Sequence, residues 1–332
     1  MSRWMWFLPA ATLASLAGCG GSPHSADEKY YLVSALTKVE YWQQAASGVA
    51  QAAGQLKVVA EAVGPDAYDP KAEHEQFQAL LGKKPTGIAV SASDPAALKD
   101  DIDAAIAQGI PVITMDSDAP DSKRLFFVGT DNYRAGLMGG RLVASHLAGK
   151  GNIIIFTFPE QPNLKERLQG YQAVFAEHPG IHIAEVVDAK GDPGVIFDRT
   201  MQIIDKKEPV DAFVCLVSIA APEVAEVLTR KQVTGKLVMG MDADQRTLDG
   251  IQSGVITATL AQKPFTMGFL AIRMLDDLHH HPPASLTVDF ARDSVSPLPT
   301  FVDTGVTLVD KSNLAAYVQT QHAAKANAGS RN

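Results

Sequence analysis

Short apolar runs alternate with amphipathic stretches along almost the whole chain, and that alternation limits the fold more than any other feature. The stretch from Ile110 to Arg134 shows the pattern. Pro111-Val112-Ile113-Thr114-Met115 is an apolar run that ends on acidic Asp116. A polar loop follows, then a second apolar run from Leu125 to Val128, then a helix start at Thr130-Asp131-Asn132. Apolar runs bounded by turn residues read as buried strands, and 3.6-residue periodicity reads as helix. Regular alternation of the two argues for parallel strands with right-handed helical crossovers. A carboxylate at the carboxyl end of such a strand stands where open α/β sheets bind ligands. Asp116 is therefore expected on one wall of a cleft between two sheets.

The same pattern runs before and after this stretch. Asp69-Pro70 and Asp94-Pro95 each open a helix, with proline at the first turn. Gly54 is expected to close the first helix, begun near Tyr41. Asn152–Phe158 is nearly all apolar, the mark of a strand covered on both faces. The helix after Asn132 carries Gly136, Gly139 and Gly140, which suggests close packing on the sheet. Lys311–Gln321 reads as a final helix, with a frayed tail from 323 to 332.

The chain has 332 residues, enough for about two domains of roughly 150 each. Net charge is −8, and no basic stripe points to nucleic acid. Two cysteines, Cys19 and Cys215, cannot make a disulfide framework. Cys215 lies in the apolar run Phe213-Val214-Cys215-Leu216-Val217 and reads as core. The start is cationic, Met1-Ser2-Arg3, and Trp4 to Ala17 is apolar but too short to span a bilayer. It ends in Leu16-Ala17-Gly18-Cys19, which resembles the bacterial lipoprotein box. That implies a signal peptide over 1–18, lipid on Cys19 and a polar tether over 19–29. The mature protein would then sit outside the cytoplasm, in the periplasm or at the cell surface.

No Gly-rich phosphate loop, helix-turn-helix or zinc-spaced Cys/His set is present. The run His279-His280-His281 sits at a helix end before two prolines and reads as helix capping, so no metal is expected. Nor is a cofactor.

Further residues carry a resemblance. They are Tyr41-Trp42, Asp116, Val128-Gly129-Thr130-Asp131-Asn132, Arg167-Leu168-Gln169-Gly170-Tyr171, Gly240-Met241-Asp242 and Ala258-Thr259-Leu260-Ala261-Gln262. In this order and spacing the chain, from about Tyr30 to Asp310, resembles the type I (ribose-binding-like) periplasmic sugar-binding proteins of ABC importers. The resemblance implies an α/β fold of two similar lobes, each a parallel sheet flanked by helices. Three hinge crossings would join them, near Thr130, Gln262 and Asp293. Residues 30–130 and 263–291 would form one lobe, and 131–262 with 292–322 the other. The implied ligand contacts are Tyr41, Trp42, Asp116, Arg167, Ser218, Asp242 and Gln262, with Lys38, Phe158 and Asn163 as further candidates.

These residue types suit a sugar. Hydroxyls buried without partners are unfavourable, so the site must be dense in hydrogen-bonding groups. Asp116 and Asp242 can accept from neighbouring hydroxyls, the Arg167 fork can donate, and Gln262 can do both. Trp42 and Tyr41 can cover the C–H face. Each has a plainer rival. Asp116 and Asp242 could be helix caps, Arg167 a solvated helix charge, Gln262 a plain hinge residue. Tyr41 and Trp42, being adjacent on a helix, cannot both face the core.

Val39-Glu40, Ser117 and Ser218-Ile219 depart from the pattern of ribose binders, so the resemblance implies the binding mode rather than ribose. The implied role is a monomeric receptor that delivers a sugar to an ABC permease. A sensor subunit presenting sugar to a membrane receptor or kinase would have the same sequence pattern. An enzyme is disfavoured because no nucleophile–base set is visible. A transcription regulator of this fold would carry a DNA-binding headpiece where this chain has its signal and tether.

Overall fold

The structure is a computed structural model that describes residues 24–286, 288–290, 292–293 and 295–329. The expected signal peptide, Cys19 and the first part of the tether lie outside those residues. The first lobe begins with β1 (Lys29–Val33), α1 (Glu40–Leu56), β2 (Val59–Val63), α2 (Pro70–Leu81), β3 (Gly87–Val90), α3 (Pro95–Ala107), β4 (Val112–Met115) and β5 (Phe127–Gly129). The second follows with α4 (Asn132–His146), β6 (Lys150–Thr157), α5 (Pro162–Ala176), β7 (Gly180–Asp188), α6 (Pro193–Asp205), β8 (Ala212–Cys215), α7 (Ala220–Arg230), β9 (Leu237–Met241), α8 (Gln245–Ser253) and β10 (Ala258–Ala261). The chain then adds α9 (Pro264–His280), β11 (Phe301–Asp303), β12 (Thr307–Asp310) and α10 (Leu314–Gly329).

Two six-stranded sheets result, in the orders β11-β5-β4-β3-β1-β2 and β12-β10-β9-β8-β6-β7. Nine of their ten strand pairings are parallel, and only β12 runs antiparallel to β10. Strands β3, β4, β8 and β9 are buried throughout, as strands covered by helices on both faces must be. The helix starts follow from local chemistry. Asp69, Asp94, Asp131, Asp192 and Asp244 each accept a backbone N–H of the first turn, satisfying a donor the helix cannot.

Four expectations are corrected. Gly54 does not end α1, which runs on to Leu56 and stops at Lys57 in a left-handed conformation, φ 63°. Gly136, Gly139 and Gly140 face α5, not the sheet: a Cβ on Gly136 would sit 2.1 Å from the Arg167 carbonyl oxygen. The third crossing is not near Asp293. β11 pairs with β5, and Leu298 and Val302 pack on the first lobe's core, so the chain crosses only after Asp303. A three-residue apolar strand fits either sheet's edge, and Phe301 is held on the first by stacking on Phe127, ring centres 5.2 Å apart. Lastly, α10 continues to Gly329 instead of fraying from 323.

Three connections therefore run between the lobes, and they are tied together. Thr130 Oγ1 donates to Gln262 Oε1 at 2.8 Å, Thr304 N donates to the Gly129 carbonyl at 2.7 Å, and Asp131 N donates to Asp303 at 3.2 Å. Among the described residues no helix is long and apolar enough to cross a membrane.

Candidate functional site

The carboxyl ends of both sheets face one another across a cleft. β4 and β9 hold equivalent places in the two strand orders. Each ends in a methionine followed by an aspartate, Asp116 and Asp242, and both aspartates have φ of 68°. Few residues other than glycine adopt this left-handed region, and short polar side chains such as Asp do so most readily. The backbone holds it in the same way twice. Asp116 N donates to the Val128 carbonyl at 3.0 Å, and Asp242 N to the Leu260 carbonyl at 2.8 Å. Neither aspartate caps a helix; Asp244 caps α8. Left-handed conformations outside glycine concentrate at functional sites, and both carboxylates line the cleft.

Each carboxylate has a fixed surround. Tyr41, at the start of α1, donates its hydroxyl to Asp116 Oδ1 at 2.5 Å. Ser91 Oγ and Asn163 Nδ2 each approach Asp116 Oδ2 at 3.4 Å, Ser91 from the same lobe and Asn163 from the other. Gln262 Nε2 donates to Asp242 Oδ1 at 3.0 Å. Gln262 thus stands at a hinge crossing and in the lining of the hollow at once. Burial raises the Asp116 carboxyl, opposed by the Tyr41 hydrogen bond and the Arg167 charge. Burial pushes Asp242 up to about 7, opposed by Arg167 and Gln262.

Arg167 lies close enough to both carboxylates to feel their charges and is 2% exposed. Its Nη2 and Nε donate to Asn132 Oδ1 at 2.6 and 3.2 Å, and Nη1 donates to the Leu216 carbonyl. The close α4–α5 crossing at Gly136 and Gly170 sets its depth, since a Cβ on Gly170 would meet the Tyr133 carbonyl oxygen at 2.3 Å. Burial lowers its proton affinity, and the charges of Asp242 and Asp116 raise it. A guanidinium (Arg pKa above about 12) stays charged in a protein, so the cleft carries one cation between two acids.

The aromatic pair divides as a helix requires. Trp42 is 8% exposed and joins the first lobe's core, while Tyr41 turns its hydroxyl to Asp116. Their rings meet edge to face, centres 5.2 Å apart. Nine of the ten candidates, Tyr41, Trp42, Asp116, Phe158, Asn163, Arg167, Ser218, Asp242 and Gln262, line one hollow of about 250 Å³. Lys38 does not. Its ammonium is exposed and lies 3.5 Å from Asp66 at the surface.

Among the lining residues that sequence reasoning missed are Tyr68, Ser91, Ser93 and Gln161. Ser91 and Ser93 follow β3, and the strand-end rule that found Asp116 applies to them equally. Tyr68 lies in an aperiodic loop and offers no such signal. It accepts from Gln161 Nε2 at 2.7 Å and packs on Phe158, ring centres 5.5 Å apart, both from the other lobe. Gln245 N donates to Glu40 at 3.1 Å, a further contact between lobes. The hollow therefore lies between lobes that touch one another, and both lobes contribute polar groups to it. Among the described residues no His or Cys lines it, and its carboxylates, guanidinium, amides and hydroxyls suit a neutral hydroxylated ligand better than a transition metal.

Residues 30–280 match the periplasmic binding protein domain. The chain belongs to the periplasmic binding protein family. It is accordingly a binding protein and not an enzyme, of a family that works outside the cytoplasm. This binding protein is 24% identical over 219 residues to the ribose import binding protein RbsB of Bacillus subtilis (strain 168), covering 64% of this chain and 69% of the relative. It is 23% identical over 260 residues to the D-allose-binding periplasmic protein of Escherichia coli (strain K12), covering 75% and 84%. Its fold matches an ABC transporter solute-binding protein from Burkholderia graminis C4D1M in complex with D-arabinose, at 26% identity and TM-score 0.79, over 88% of this chain and 98% of that one. It also matches AraP, an arabinose-binding protein from Geobacillus stearothermophilus, at 31% identity and TM-score 0.73, over 87% and 99%.

Proposed function

We propose that this binding protein captures a monosaccharide between its lobes and delivers it to an ABC permease, held at the membrane by lipid on Cys19 and acting as a monomer. One observation carries the reading: two carboxylates in matched left-handed positions face a buried guanidinium inside one closed hollow. Charged groups make the stronger hydrogen bonds to hydroxyls, and an aromatic edge beside them covers C–H surface. Tyr41, Trp42, Asp116 and Ser91 contact the sugar from the first lobe. Arg167, Asn163, Phe158, Ser218 and Asp242 do so from the second, with Gln262 at the hinge. Only the closed state presents both sets, so the ligand favours closure. The arabinose, ribose and allose specificities named for the relatives support a monosaccharide as the ligand class.

A ligand bound only by the folded protein raises its melting temperature. Thermal unfolding against D-arabinose, D-ribose, D-allose and a panel of hexoses and disaccharides is expected to show a rise of several degrees for at least one monosaccharide. Calorimetry is then expected to give one site per chain. If no sugar in the panel shifts the transition at millimolar concentration, the sugar reading fails.

A further inference from the structure

A second set of converging polar side chains lies in the first lobe at the opposite end of the strands from the cleft. Asp276 and His280 are one turn apart on α9, and His24 and Glu28 precede β1. His24 Nε2 is 2.9 Å from Asp276 Oδ2. His280 Nε2 is 3.1 Å from Glu28 Oε2 and 3.7 Å from Asp276 Oδ1. The ligating atoms of His24, Asp276 and His280 all lie within 4.8 Å of one another, and those of Glu28, His279 and His280 form a second such set that shares His280. The two imidazole rings meet edge to face, centres 4.7 Å apart. Both carboxylates are buried, Glu28 at 8% and Asp276 at 6% exposure.

Other groups orient these carboxylates. Tyr30 Oη donates to Asp276 Oδ1 at 3.3 Å, and Ser25 N donates to Glu28 Oε1 at 2.7 Å. Their second oxygens, Oδ2 and Oε2, face the imidazoles. Partners of this kind fix first ligands in metal sites. Two imidazoles and two carboxylates form a borderline donor set that suits Zn²⁺, and their charges sum to neutrality around a divalent cation. Tetrahedral zinc with bonds of about 2.1 Å holds neighbouring ligand atoms about 3.4 Å apart, and the three separations given above, 2.9, 3.1 and 3.7 Å, bracket that value. The spacing Asp276–His280 places two ligands on one helix face. The histidine run does stand at the end of α9, and the set draws on only one of its members, His280.

We propose that His24, Glu28, Asp276 and His280 bind one divalent transition cation of the zinc type, which clamps the segment before β1 onto α9. The site joins residues over 240 apart in sequence (|i−j| 252 for both histidine–carboxylate pairs). It fixes where the amino-terminal segment leaves the lobe, and it is independent of the ligand in the cleft.

The test uses the processed protein purified in detergent, stripped with chelator and titrated with Zn²⁺ alone. One saturable site per chain is expected, with a raised melting temperature, and Co²⁺ in its place is expected to give visible absorption of tetrahedral type. His280→Ala and Asp276→Asn are expected to weaken Zn²⁺ binding at least tenfold. His281→Ala, whose exposed side chain pairs with Asp277 instead, is expected to leave it within twofold. His24→Ala lies ahead of the first strand, so it gives the same reading should a helix variant fail to fold. No saturable site, or equal loss in His281→Ala and His24→Ala, overturns the proposal.

Discussion

Asn163 of the second lobe donates its amide to Asp116 of the first across 3.4 Å. The contact exists only because the lobes are closed, and it occupies an oxygen that a ligand hydroxyl would share. Tyr68 with Gln161 and Glu40 with Gln245 close the same gap elsewhere. The proposed binding mode thus links binding to closure, and each part of that linkage can be tested.

Asp116→Asn keeps the shape but removes the charge. It is expected to weaken sugar binding by roughly 1.5–3 kcal/mol, about ten- to a hundredfold, the scale of a hydrogen bond to a charged group. Its apo melting temperature is expected to change little, because no helix depends on Asp116 for a cap. Calorimetry beside thermal unfolding separates the two, and a large loss of apo stability with unaltered affinity would mark the residue as structural.

Arg167→Met strips the donor from Asn132 and Leu216 and leaves two buried acids without a cation. Both stability and binding are expected to fall, stability by about 3–5 kcal/mol, the range for breaking a buried charge arrangement. Denaturant unfolding measures it; a variant as stable as the parent would mean Arg167 is solvated.

Closure is expected to compact the protein. Sugar at saturation should lower the radius of gyration in solution scattering. Glu40→Ala, which removes the acceptor of Gln245 N at the cleft mouth, is expected to weaken affinity by severalfold, since about 1 kcal/mol of closed-state stabilisation is lost. An identical scattering profile with and without ligand would rule out a jaw.

Asp242 is expected to make binding pH-dependent. Its carboxyl, raised to about 7 by burial, is mostly protonated in the free protein below that pH. Sugar hydroxyls donate to the charged form, so bound sugar favours proton release. Affinity is expected to rise with pH up to about 7 and level off above, falling by up to tenfold per pH unit below. Asp242→Asn is expected to bind weakly with a flat profile. Constant affinity for the parent between pH 5 and 8 would contradict this.

Glu73 is fully buried beside Ser93, its Oε1 without a hydrogen-bond partner, and burial raises its carboxyl from 4.5 to about 8. Below 4.5 both folded and unfolded chains hold the proton, so Glu73 makes no difference there. Between 4.5 and 8 the unfolded chain releases the proton and the folded one keeps it, so stability declines as pH rises. Glu73→Gln removes that decline. It is expected to gain on the parent progressively from pH 5 to 8, by on the order of 2–4 kcal/mol. Parallel stability curves over that range would show that Glu73 is solvated.

Much of this was legible in the residues. Aspartate–proline pairs announced helix starts, apolar runs announced buried strands, and Asp116 and Asp242 announced themselves by ending such runs. These signals are local: capping, burial and strand-end position depend on a few neighbours. Lys38 falls outside the hollow because nearness in sequence to the first loop says nothing of where a long exposed side chain points. Gly136 misled because small residues permit close approach without naming the partner.

By itself, then, the sequence determined the alternating elements, the two-sheet class and the residue types able to hold a hydroxylated ligand. Only the tertiary structure decided that Tyr68 and Gln161 meet across the cleft, that Phe301 joins the first sheet, and that His24 reaches Asp276. Those contacts join segments far apart in the chain, and their partners are chosen by how the two sheets twist and pack, which no local pattern encodes.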